Sequence, residues 1–203
     1  MEPSESPRRP TLDALGQALL FQDARSQNAW RDIPVTDALI KELYELTKWG
    51  PTSTNCCPAR FVFVRSARAK ARLEPALAPG NVKKAMTAPV IAVIGYDLAF
   101  FEKLPQLFPH RPVDSAFRAD TQLATSTAIR NGTLQGGYLM LAARALGLDC
   151  APMSGFNAAL VDQAFFSGTT VKSNFLCGLG YGDPAAVFER LPRLVFDEAC
   201  QFC

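Results

Sequence analysis

The sequence predicts one domain with a central sheet and helices packed against it, of the α/β or α+β class. Three observations carry this. Two short apolar runs, ARFVFVR at 59–65 and APVIAVIGYD at 88–97, read as strands buried on both faces. Segments with helical periodicity alternate with the strand-like runs. A long pattern from Phe117 to Leu148 turns from polar to almost wholly apolar, which marks a buried helix.

Residues 1–10, MEPSESPRRP, are expected to be a disordered tail, and 11–203 a single domain. TLDALGQALL (11–20) carries apolar residues at helical spacing behind a threonine cap. FQDARSQNAWRDIP (21–34) reads as a polar loop. Thr36 then caps a helix, TDALIKELYELTKWG, with Leu39, Ile40, Leu43 and Leu46 on one face and Gly50 as its stop. After the strand at 59–65 comes a basic helix, ARAKARLEPAL. After the strand at 88–97 a long loop, LPQLFPHRPVDS, crosses to residue 116. In the 117–148 pattern small residues recur. A helix apolar nearly all round has to be covered on every side, so a second subunit as well as its own sheet is expected against it. A purely intramolecular core helix is the alternative. Asp149 to Met153 reads as a short strand, NAALVDQAFF as an amphipathic helix, and SNFLCGLGYGD (173–183) as a strand ending in glycines. LPRLVFDEACQFC closes the chain.

The totals exclude several functions. The chain has 203 residues, 48% of them apolar and 20% charged, the profile of a soluble globular protein. A net charge of +2, from 21 basic and 19 acidic residues with no dense basic stripe, does not suggest nucleic acid as a partner. The longest apolar run falls short of the about 18–20 residues that cross a bilayer. The N-terminus has no apolar core of a secretory signal. A cytoplasmic location, away from membranes, is therefore expected. The six cysteines, at 56, 57, 150, 177, 200 and 203, show no repeating spacing and are expected to be reduced and mostly buried. The terminal Cys200–Cys203 pair has no room for the helix that follows a thioredoxin-like motif. The single histidine, His110, lies in a proline-bracketed loop, so a triad or a histidine-based zinc site would have to be built around it alone. GLGYGD is spaced GxGxGD and is no dinucleotide fingerprint.

WGPTSTNCCPA (49–59) is the densest cluster of small polar groups. It reads as a metal or redox site on Cys56 and Cys57, as a helix-to-strand connection, or as a cradle for a polar ligand. Adjacent cysteines can hardly face one ion, and no metal is expected. Further small polar and basic elements are ARSQN (24–28), MSG (153–155) and LPR (191–193). None forms a nucleophile–base pair. Such a set suits a cofactor enzyme, in which the protein supplies hydrogen bonds and charge. Two arginines far apart in sequence can converge on one phosphate, because guanidinium forks match its oxygens.

These elements, in this order, resemble the FMN-dependent nitroreductase family. ARSQN resembles its RRSxRxF signature, PTSTNCCPA its PSSxNxQPW stretch, APMSGF (151–156) its PMxGF segment, and GYGDP followed by LPR its C-terminal GY…LPK/R element. The likeness spans roughly residues 20–196, and KSNFLCGLGYGD and LPRLVFDEA are similar to the malonic semialdehyde reductase branch. The resemblance implies an α+β, three-layer fold with a mostly antiparallel central sheet flanked by helices, in an intertwined homodimer. It implies FMN at the subunit interface, NADH or NADPH as hydride donor, and no catalytic side chain, the hydride being carried by flavin N5. The implied reaction is reduction of malonic semialdehyde to 3-hydroxypropionate in pyrimidine breakdown. A broad nitroreductase or quinone reductase, or a flavin-binding protein without turnover, are the alternatives.

By the same resemblance Arg25, Ser26 and Arg193 bind the FMN phosphate end, and Asn28 stands near flavin N1. Pro51, Thr52, Ser53 and Asn55 hold the ribityl chain and ring from the partner subunit, and Ser154 and Gly155 lie beside N5. Arg111, Arg118 and Arg130 are candidate cations for a substrate carboxylate. The chain departs from the pattern at Ala24, Asn28, Cys57 and Ala59, where the family has arginine, a cation, glutamine and tryptophan. Loss of the cation near N1 stabilises the reduced anionic flavin less. Asn28→Lys is therefore expected to raise the flavin reduction potential in a spectroelectrochemical titration, and an unchanged potential would refute this.

Overall fold

The computed structural model describes residues 9–203, so most of the expected tail lies outside the described residues. The first helix, α1 (Ala14–Gln17), is capped by Asp13 rather than Thr11, its carboxylate accepting from Gly16 N at 2.8 Å. It widens into a π-helical turn at Ala18–Gln22. Helix α2 (Asp37–Thr47) has the expected cap, Thr36 Oγ1 accepting from Leu39 N. Gly50 is not its stop through a left-handed turn. A Cβ there would lie 2.6 Å from the Tyr138 ring, so the glycine serves a close approach. Strand β1 (Ala59–Val64) leads to α3 (Ala67–Leu73), and α4 (Pro79–Thr87), which the sequence reading did not identify, leads to β2 (Val90–Asp97). The stretch expected as one long loop holds α5 (Leu104–Leu107) and α6 (Asp114–Ala119). Both are too short for periodicity to reveal.

Helix α7 (Thr121–Ala145) starts later than Phe117, because Asp120 is extended and caps Leu123 N at 2.9 Å. Then follow β3 (Asp149–Met153), α8 (Ala158–Phe165) behind its cap Asn157, β4 (Val171–Gly180), and a short α9 (Phe196–Ala199) in the closing segment.

The four described strands form one sheet in the order β1-β2-β4-β3, with every pairing antiparallel. The class is α+β. Side chains alternate across the sheet with period two. Val64, Ile91, Val93, Met153 and Leu176 meet Leu73, Ala85 and Val161 from α3, α4 and α8 on one face. Val90, Ala92, Ile94, Cys177 and Leu179 meet Leu43 from α2 and Leu139, Ala142 and Ala143 from α7 on the other. That double cover explains why β2 is apolar without interruption from Val90 to Gly95. The glycines ending β4 serve packing. Cβ atoms at Gly178 and Gly180 would meet Trp30 at 2.8 Å and Pro89 at 2.6 Å.

Helix α7 lies close on the sheet through Gly136, where a Cβ would come within 2.5 Å of the Phe175 ring. Its opposite side, including Ile129, Leu134 and Tyr138, is exposed in the single chain. One chain therefore covers only part of this helix. Gly136→Val is expected to lower stability by about 1–3 kcal/mol through overpacking against Phe175. The urea midpoint reads this, and an unshifted midpoint would show that the contact yields freely.

Candidate functional site

The two ends of the chain meet around an open cleft of about 590 Å³. Arg25, Ser26 and Asn28 line it from the first loop, and Arg193 lines it from the closing segment. Arg144 and Arg190, absent from the sequence-derived set, line it too. The loop is fixed by bonds to the strand ends. Gln27 N donates to Cys150 O at 3.0 Å, and Gln27 Nε2 donates to Asp149 Oδ1 at 3.0 Å. Asp149 Oδ2 accepts from Gly182 N at 2.9 Å, and a Cβ on Gly182 would strike the Gln27 amide. With Gln27 turned inward, its neighbours Ser26 and Asn28 face the cleft.

The guanidinium groups tie the two ends together. Arg25 donates to Phe188 O, and Arg190 donates to Gln22 O and, at 3.3 Å, to Ala24 O. Arg144 holds Leu20 O at 3.0 Å, Asn28 Nδ2 reaches Ala186 O at 3.4 Å, and Arg193 bonds to its own segment at Leu191 O and Pro192 O. Four guanidinium groups and a hydroxyl line the cleft against one carboxylate, Glu189. That donor set suits a phosphate. Arg190 was readable from its place beside LPR, and Arg144 as a lone cation ending an apolar run.

The segment 51–59 is held by α7. Asn131 Oδ1 accepts from Ser53 N at 2.8 Å, and one turn on, Gln135 Oε1 accepts from Ala59 N at 2.8 Å. Both amides are buried. Thr52 Oγ1 accepts from Cys57 N at 3.2 Å, and Asn55 Nδ2 donates to Leu107 O at 2.9 Å. Arg60 donates to Cys57 O and Ala59 O and pairs with Asp97 at 2.7 Å. These bonds hold Thr54, Asn55 and Cys57 in the left-handed region, at φ 51°, 50° and 40°. Non-glycine residues there cost on the order of 1–2 kcal/mol each. Pro51, Thr52, Ser53 and Asn55 share this loop, and none of them lines the arginine cleft of the same chain. The sequence reading missed Asn131 and Gln135, although two amides one turn apart in a small-residue helix were a visible signal.

Ser154 and Gly155 follow β3. Gly155 O accepts from Ala78 N at 3.0 Å and from Asn81 Nδ2 at 2.8 Å. A Cβ on Gly155 would lie 2.8 Å from Asn81 Nδ2, so any side chain there would have to displace the Asn81 amide, and the backbone is not left-handed. The structure therefore brings Arg25, Ser26, Asn28 and Arg193 together, and leaves the 51–55 loop and Ser154–Gly155 as two further groups. The candidate substrate cations lie apart from one another. Arg111 borders a hollow of about 200 Å³ beside Phe108. Arg118 pairs with Asp114 at 3.3 Å and lies 5.0 Å from the Phe101 ring centre. Arg130 borders the exposed apolar side of α7 with Leu134 and Tyr138.

All six cysteines are free. Burial pushes the Cys56 thiol up to about 11, against an opposing hydrogen bond from Thr52. The hydrogen bond to Cys150, with burial, raises Cys177. Both thiols are protonated at neutral pH and so are poor nucleophiles and poor metal ligands. Among the described residues no group of three His, Cys, Asp or Glu side chains is placed to hold a metal ion.

Residues 23–182 match the model of the nitroreductase family. A relative from Cupriavidus pinatubonensis, provisionally described as an NADH dehydrogenase/NAD(P)H nitroreductase, is 61% identical over 185 residues, 90% of this chain and 94% of its own. The similarly described HadB of Ralstonia pickettii is 60% identical over 186 residues, 90% of this chain and 95% of its own. A structure provisionally described as a nitroreductase in complex with FMN, from Exiguobacterium sibiricum, superposes with a TM-score of 0.80 at 19% identity, covering 96% of this chain and 99% of that one. One provisionally described as an NAD(P)H:FMN oxidoreductase, from Staphylococcus epidermidis, gives 0.82 at 17% identity, covering 98% and 100%. At those identities the structural likeness shows the fold alone.

Thiol burial gives a direct test. At pH 8, iodoacetamide is expected to modify the exposed Cys200 and Cys203 first and to leave Cys56, Cys150 and Cys177 unmodified until the protein unfolds. Peptide mass spectrometry reads the order, and early modification of Cys56 would revive the redox reading.

Proposed function

This chain belongs to the nitroreductase family, and on that premise we propose an FMN-dependent NAD(P)H oxidoreductase that reduces malonic semialdehyde to 3-hydroxypropionate as a cytoplasmic homodimer. The observation that carries the reading is the arginine cleft. Its guanidinium groups and the Ser26 hydroxyl are donors facing a space with a single carboxylate, the complement of a phosphate monoester. Arg25, Ser26 and Arg193, joined by Arg144 and Arg190, would hold the phosphate end of FMN. The 51–55 loop, contributed by the partner subunit, would hold the ribityl chain and ring, and Ser154–Gly155 would flank the ring.

When bound, FMN supplies the hydride exchange between NAD(P)H and the reducible substrate. The protein contributes position. Ala78 and Asn81 fix the Gly155 peptide through its carbonyl, and α7 fixes the 51–59 loop through Asn131 and Gln135. No side-chain nucleophile is required, which accords with the protonated, buried Cys56. The exposed apolar side of α7 supports the second subunit. Among the described residues no helix is long and apolar enough to cross a membrane. The relatives' description as NAD(P)H nitroreductases favours a second reading, a nitroreductase of broad specificity.

The visible spectrum of the purified protein tests the proposal. We expect flavin bands at about one per chain, the content of one intact site, bleached by NAD(P)H and restored by malonic semialdehyde. Recovery with nitroaromatics or quinones alone would favour the broad reading. Arg25→Ala is expected to weaken FMN binding by about tenfold or more, the loss of a charge-assisted bond. Unchanged retention on gel filtration would count against the cleft. Serine at positions 56 and 57 is expected to leave NADH oxidation largely intact, and its abolition would restore the thiol mechanism.

A further inference from the structure

A second hollow, of about 210 Å³, lies where the 51–59 loop enters β1. Tyr44, Phe61 and Leu107 form its apolar walls. Its charged and buried polar groups are donors. Gln135 is only 5% exposed, and its Oε1 is committed to Ala59 N. Its Nε2 has no protein acceptor among the described residues, and Gln135 lines the hollow. The Lys103 ammonium on the rim has no acceptor among the described residues. Arg60 also borders the space, with its charge largely answered by Asp97 at 2.7 Å. No Asp or Glu lines the hollow.

A largely buried amide N–H with no protein acceptor is left for a ligand or water to meet. Beside it stands a free cation, and the flanking walls are apolar. That combination fits a short acyl chain ending in a carboxylate: the carboxylate accepts from Lys103 and Gln135, and the carbons lie against Phe61 and Leu107. A phosphate or longer polyanion would leave those walls unused. One side of the hollow is Cys57 and Ala59, the end of the loop assigned above to the flavin.

We propose that this hollow is the carboxylate subsite of the substrate pocket, with Lys103 supplying the charge and Gln135 a neutral donor, so that the enzyme selects short-chain carboxylates. This deepens, and rests on, the reading of the protein as a reductase of malonic semialdehyde. Arg111, Arg118 and Arg130 do not line the hollow.

The test uses malonate, which carries carboxylates and no reducible group, titrated calorimetrically into the purified holoprotein. Wild type is expected to bind it, and malonamide, its uncharged isostere, is expected not to. Lys103→Met is expected to raise the malonate Kd by about tenfold or more, the scale of one charge-assisted bond. Gln135→Glu keeps the acceptor for Ala59 N and replaces the donor with a like charge, so it is expected to act in the same direction. In turnover, the kcat/KM ratio of malonic semialdehyde to p-benzoquinone is expected to fall about tenfold in Lys103→Met, for the same reason. An unchanged malonate Kd in Lys103→Met, or no binding by wild type, would overturn the subsite, and so would equal losses on both substrates. A wild type that reduces quinone but not malonic semialdehyde, and still binds malonate through Lys103, would overturn the aldehyde reading and keep the subsite.

Discussion

Two side-chain amides one helical turn apart, Asn131 and Gln135, hold the segment 51–59 onto α7, and the geometry around them depends on that pair. The segment carries three non-glycine residues in the left-handed region, a conformation that a free loop would leave. It persists because both side-chain amides are buried and fixed, and breaking the Gln135 bond would strand the N–H of the buried Ala59 away from water. Arg60 closes the far end by gripping two carbonyls and Asp97 together. These bonds form the loop within the protein itself, which is the condition for orienting a flat cofactor or a small substrate.

The anchors work only because α7 lies close to the sheet. Gly136 permits that approach against Phe175, and a Cβ on Gly132 would lie 3.0 Å from Tyr96 Cβ, closer than an ordinary contact. A helix in that position faces two environments. Leu139 and Ala143 are fully buried against the sheet, while Ile129, Leu134 and Tyr138 stay exposed on the opposite side. The last turn of the same helix carries Arg144, whose bond to Leu20 O draws the first segment of the chain toward the cleft.

The cleft itself is a product of both chain ends. Arg25 reaches across to Phe188 O, and Arg190 reaches back to Gln22 and Ala24. Backbone carbonyls carry only partial negative charge, so these guanidinium groups keep much of their attraction for an anion. Gln27, the inward member of its loop, locks the register through Asp149 and sets which neighbours face the cleft.

Much of this was legible in the sequence. The apolar runs at 59–65 and 88–97 specified strands because a sheet covered on both faces leaves no polar position to interrupt them. Thr36 marked a helix start because a hydroxyl there satisfies an otherwise free N–H. The family likeness rested on ARSQN, PTSTNCCPA, APMSGF and LPR, and the structure sets the first and last of these around one cleft. What the sequence could not decide was the long-range pairing. Gly50 read as a helix stop, and only the packed structure shows it making room for Tyr138. Asn131 and Gln135 read as two polar residues in a helix, and only the fold supplies Ser53 and Ala59 as their partners. Lys103 sat unremarked just before the presumed loop, and only the fold places it with β1, α5 and α7 around one hollow. Local chemistry fixes elements and caps, because those bonds close within a few residues. Which donors face one another across the molecule is fixed by the packing of α7 on the sheet, and no local pattern encodes that.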